Sequence, residues 1–104
     1  MRVLKFCVDE QKIFKAPGCD FSGIAIGSSE YLEVQLSFSD GWKGCAKVAE
    51  FYDVLGELRE SVPIIQNSCK VPSVVTDGVL WGIRIIGAKG SYRITTNKVE
   101  VMQS

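Results

Sequence analysis

Residues Tyr31 to Asp53, YLEVQLSFSDGWKGCAKVAEFYD, constrain the fold more than any other stretch of the chain. Leu32, Val34, Leu36 and Phe38 alternate with Glu33, Gln35 and Ser37, the two-residue period of a strand with one buried face. Ser39-Asp40-Gly41 follows with turn chemistry: short side chains that bond nearby backbone, and a glycine free of Cβ restraint. A second strand-like run extends from Ala46 to Tyr52. Two antiparallel strands joined by a short polar loop carrying an aromatic, Trp42, are the building pattern of a β-sandwich. Such a class argues for binding rather than catalysis.

The rest of the chain extends that pattern. Val3 to Val8 reads as an opening strand with Lys12 to Lys15 as its hairpin partner, and Ala16-Pro17-Gly18 ends the pair because proline removes a ladder donor. Phe21 to Ile26 is a weak strand or a connector, and Gly27-Ser28-Ser29 is a turn. Leu58 to Ile65 resumes a strand, in which Pro63 argues for an edge position or an irregular beginning. Gln66-Asn67-Ser68 turns the chain into a short strand, Cys69 to Val71. Ser73 to Thr76 reads as one helical or 3₁₀ turn. Val79 to Ile86 is the strongest later strand, with Trp81, Ile83 and Ile85 on one face. Gly87-Ala88-Lys89-Gly90 reads as a hairpin loop and Tyr92 to Val101 as the closing strand region. Seven to nine short strands with evenly spaced turns, and no segment of helical period, predict an all-β antiparallel sandwich.

At 104 residues the chain has room for one two-layer core, so residues 1–104 are read as a single domain. Twelve basic and twelve acidic residues cancel, leaving no global field to steer the protein to nucleic acid or an anionic membrane. No run approaches the roughly 20 apolar residues of a membrane helix. The opening MRVLKFCVDEQ lacks the longer apolar centre and cleavage site of a signal peptide, so a soluble protein made in a cytosol is expected.

Reactive chemistry has few carriers. The chain has no histidine, the commonest general acid/base and metal ligand. Cys7, Cys19, Cys45 and Cys69 form no CxxC pair, so structural-zinc spacing is absent, and reduced, mostly buried thiols are expected. If two of them approach each other, Cys45 and Cys69 are the pair to examine, since both end predicted strands. Asp9, Glu10, Asp40, Asp53, Glu57, Glu60 and Asp77 fall in turns or exposed strand positions, as solvated acids do. Gly87-Ala88-Lys89-Gly90 matches the GxxG of RNA-clamping modules, but that loop joins helices, whereas this one joins strands. No enzyme activity, catalytic residue, cofactor or metal is expected. Trp81 reads as core; Trp42 either caps the open end of the sandwich or stands out as a contact anchor.

Three segments, FSDGWKGCAKVAEFYD, SVPIIQNSCKVP and LWGIRIIGAKGSYRITTNKVEV, carry a resemblance. They are similar to the small immunoglobulin-like β-sandwich of tailed-bacteriophage structural proteins, the N-terminal module of baseplate, tail-fibre and head-fibre proteins. The matching positions are Phe38-Ser39-Asp40, Trp42-Lys43-Gly44, Lys47 to Phe51, Cys69 to Pro72, and Gly87 to Asn97. Ser73-Val74 depart from the pattern, which often has an aromatic and an acid after that proline. The resemblance implies a non-catalytic docking or decoration subunit on the head, tail or baseplate. Its partners would be other virion structural proteins or copies of itself in a symmetric array, and it would reside in the virion and, during assembly, in the host cytoplasm. Tyr31, Trp42, Lys43, Tyr52, Tyr92 and Arg93 are the candidate contact residues. The opening strand and the Tyr92–Val101 region are the expected sheet edges. A module binding host-surface glycans or proteins, with tyrosine and tryptophan stacking on sugars, is the alternative; a small regulator of host enzymes is a third.

Overall fold

A computed structural model describes all residues 1–104. Nine strands form: β1 (Arg2–Asp9), β2 (Lys12–Lys15), β3 (Leu32–Phe38), β4 (Ala46–Tyr52), β5 (Leu58–Pro63), β6 (Ser68–Lys70), β7 (Leu80–Lys89), β8 (Tyr92–Thr95) and β9 (Val99–Met102). The only helical element is one 3₁₀ turn at Asp40–Trp42. The strands make two sheets, ordered β2-β1-β3-β6 and β5-β4-β7-β8, with β9 also paired to β7. The expected all-β, two-layer architecture is therefore present.

Alternation in the sequence decides which faces meet. Leu4, Phe6 and Val8 of β1 and Leu32, Val34 and Leu36 of β3 point inward from the first sheet. Ala49 and Phe51 of β4 and Trp81, Ile83 and Ile85 of β7 point inward from the second. Burying a large apolar side chain of this kind contributes roughly 1.5–3 kcal/mol. Phe51 and Trp81 meet inside with ring centroids 5.8 Å apart.

The structure corrects three details. Not every strand pair is antiparallel, because β1 and β3 run parallel, from Arg2 beside Leu32 to Val8 beside Phe38. The hairpin β1–β2 returns the chain to its starting end, and residues 16–31 cross there before β3 begins. Arg2 pins that connection, its guanidinium donating to the carbonyls of Asp20, Ser22 and Gly23 at 2.6–3.2 Å. Phe21 to Ile26 is accordingly a connector, with Phe21 edge-on to Phe6 at 5.2 Å. Second, the opening strand is internal, and its hairpin mate β2 is the edge instead. Third, Gly87 to Lys89 are not a loop: β7 runs through them, paired to β4 on one side and β8 on the other. Only Gly90-Ser91 turn the chain.

The two sheets are stitched along one side. Asn97 Oδ1 accepts from Ile13 N–H of edge strand β2 at 2.9 Å, and the Asn97 N–H donates to Gln11 O. On the other side, edge strand β5 carries Arg59 and Glu60 and ends at Pro63, devices that discourage strand addition. All four thiols are free, and no Cys45–Cys69 bridge forms. Burial, helped by the nearby Glu33 charge, pushes the Cys69 thiol up to about 12.

Candidate functional site

The sandwich has two ends, and they differ in kind. One is closed by Trp42. The turn after β3 drops the indole inward, fully buried, against Phe38 at 5.3 Å between centroids. Its Nε1 donates to Glu10 O at 2.8 Å, so the one polar atom of the plug is satisfied. Gly87 lies beneath it: a Cβ there would come within 2.8 Å of the indole carbons, which is why the strand carries glycine at this position. Around the plug the surface is polar. Lys43 and Arg93 are exposed, Lys89 Nζ donates to Lys43 O at 3.2 Å, and Tyr92 donates its hydroxyl to Gly41 O at 2.9 Å.

The opposite end is closed by backbone. Residues 16–31, the turn between Val71 and Val79, and the last two residues cover it. Gly27 N–H donates to Thr76 O, Ile26 N–H to Ser104 O, Ser104 N–H to Ile24 O and Gln103 N–H to Val79 O, at 2.7–3.0 Å. Gln103 is the buried polar centre of this closure. Its Oε1 accepts from Trp81 Nε1, and its Nε2 donates to the carbonyls of Thr76 and Gly78, each at 2.9 Å. Every buried side-chain nitrogen and oxygen has a partner.

Outside that closure the surface is apolar. Eleven large hydrophobic side chains are exposed in the whole molecule. Nine of them lie at this end: Val54, Leu55 and Leu58 where β4 turns into β5, Val74 and Val79 on the 71–79 segment, Met102 on β9, and Met1, Ile26 and Tyr31 beside the start of β3. Leu55 is 81% exposed at the tip. A shallow hollow of about 360 Å³ lies among Val54, Leu55, Arg59, Val74 and Asp77. Large apolar side chains gathered at one exposed end are the kind of surface that interaction sites use.

Asp53 shapes the tip. Its Oδ1 accepts the N–H groups of Leu55 and Glu57 at 2.9 and 3.0 Å, and its Oδ2 pairs with Arg59 at 3.3 Å. The Glu57 amide above all, with Arg59, holds the Asp53 carboxyl below the usual carboxylate range. That network fixes a Leu55-Gly56 turn that presents Leu55 outward.

The six residues picked out in the sequence do not converge. Trp42 is a plug and offers nothing to a partner, which corrects its place among the contact residues. Lys43, Tyr92 and Arg93 sit around that plug, while Tyr31 sits at the other end. Tyr52 lies on the outer face of the second sheet, its hydroxyl bonded to Glu50 at 3.0 Å and its ring under Lys98 Nζ at 4.8 Å. Arg84 Nε completes that cluster, 2.7 Å from Glu50 Oε1. The aromatics thus form no common sugar-stacking platform. No three histidine, cysteine or acidic side chains converge as a metal would require. The sequence reading passed over Val54, Leu55, Val74 and Val79. For Val54, Leu55 and Val74 a signal was available, large apolar residues in segments whose turn chemistry calls for polar ones; Val79 read as the start of a strand, which begins instead at Leu80.

Compared with family models, curated proteins and solved structures, the chain has no match. The phage-module resemblance therefore rests on the short motifs in the sequence alone.

Proposed function

We propose that this chain is a non-catalytic docking module, a structural or accessory subunit of a tailed-bacteriophage particle, attached through its apolar end to other virion proteins or to copies of itself in a symmetric array. An immunoglobulin-like relationship and residence on the head, tail or baseplate belong to the same proposal, which the motifs from Phe38 to Asn97 support. The observation that carries the docking reading is the gathering of nine exposed large apolar side chains at one end. Stability does not require them outside, because the core beneath is already closed by hydrogen-bonded backbone and Gln103. A partner that covers them supplies the burial they lack.

Quantitative mass spectrometry of purified particles tests the assignment. A many-copy, fixed stoichiometry is expected. Absence from particles that contain every other structural protein would remove the virion reading.

A further inference from the structure

Charge divides along the same axis as the apolar surface, although the chain as a whole is neutral. Around Trp42 lie five basic residues, Lys12, Lys43, Lys47, Lys89 and Arg93, against Asp9, Glu10 and Asp40. No ion pair neutralises any of these five. At the apolar end the balance reverses. Asp53 and Glu30 are matched there by Arg59 and Lys70. Arg2, on the carbonyls of Asp20, Ser22 and Gly23, and Lys98, over Tyr52 beside Gly56, are two further cations at this end. Glu57, Glu60, Asp77 and Glu100, none with an ion-pair partner, outnumber those two. One end is thus basic, the other acidic and apolar. The basic end also holds the two exposed large apolar residues missing from the other end, Tyr92 and Ile65.

We propose that the occupant of the acidic apolar end is the basic Trp42 end of a second copy of this chain, giving a head-to-tail contact. This deepens the docking reading by naming the partner. Opposite surfaces of one molecule meet in such a contact, so it repeats, closing into a ring or extending as a column. Apolar end against apolar end would instead bring unpaired acids face to face, which like-charge repulsion opposes.

The size of the face sets the strength. β7, ten residues at about 3.3 Å each, spans about 33 Å and accounts for the 39 Å axis, leaving an end of 29 by 20 Å. Measured between Cα atoms, such an end is at most comparable with the roughly 800 Å² per partner of a stable complex. The contact is weak between two free copies and depends on concentration and on repetition in an assembly. Salt weakens it further by screening the exposed charges.

Sedimentation velocity on the full chain, from micromolar to millimolar concentration at low and high sodium chloride, tests this. Wild-type protein is expected to sediment faster as concentration rises, and less so in high salt. Lys43→Glu/Arg93→Glu spoils only the basic end, and Leu55→Lys/Glu57→Lys only the acidic one; all four side chains are exposed, and circular dichroism checks each fold. Each variant alone is expected to stay monomeric. Mixed, they retain one good end each and are expected to form complexes of one with the other that neither forms alone. Wild-type protein that is monomeric throughout overturns the head-to-tail contact while leaving the virion test standing. So does a basic-end variant that still self-associates, which would mean that like ends pair.

Discussion

At the Trp42 end one indole from a turn fills the gap between the sheets; at the Leu55 end three segments without strand or helix fill it, joined by backbone hydrogen bonds and one glutamine. The first solution places the apolar mass inside and leaves a polar, basic rim. The second satisfies its backbone internally, yet leaves leucine, valine and methionine outside. The contrast teaches that exposed apolar surface here is not a by-product of closing the core. Both ends are closed, and only one is greasy.

Removing the plug breaks the contrast most severely. Trp42→Ala is expected to lower unfolding free energy by about 3–5 kcal/mol in chemical denaturation, the usual cost of emptying a buried aromatic site. Gln103→Leu comes next, at about 2–4 kcal/mol, because it strands Trp81 Nε1 and the carbonyls of Thr76 and Gly78 without partners. Hydrogen exchange sharpens the point: the Gly27 and Gln103 amides should lose protection in this variant while amides of β1 and β4 keep theirs. Gly87→Ala forces a methyl against the indole and is expected to cost about 1–3 kcal/mol by overpacking.

Asp53 tests the tip by pH. Its carboxyl is held low in the folded protein, so its contribution is full above the ordinary aspartate range and is lost as pH falls through the depressed value. Wild-type protein should lose stability across that acid window, and Asp53→Asn should lack that part of the loss in parallel thermal melts. Leu55→Ser ranks last. At a site 81% exposed, a change within about 0.5 kcal/mol is expected, with docking reduced far more than stability.

Much of the fold was legible in the residues. The alternation in β3, the Trp81-Ile83-Ile85 face of β7 and proline at the end of edge strand β5 each have a local cause that needs no knowledge of the rest. Parallel pairing of β1 and β3 was not legible, because it depends on where residues 16–31 cross, and that path is set by Arg2 reaching three distant carbonyls. Gly87 read as loop because glycine usually marks a turn; pairing to both β4 and β8 places it inside a strand, where the indole of Trp42, more than forty residues away, leaves no room for a side chain. The candidate site was the least legible part. Valines and leucines isolated in separate turns look incidental until the fold brings those turns to one end, and a neutral total hides two ends of opposite sign.

Hydroxyl-radical footprinting of the dilute protein and of the particle-bound protein tests the docking claim most directly. The account predicts that Leu55, Val79 and Met102 react readily in the dilute protein and are shielded on the particle. Unchanged reactivity at these three, with shielding confined to the outer sheet face around Tyr52 and Leu80, would contradict it.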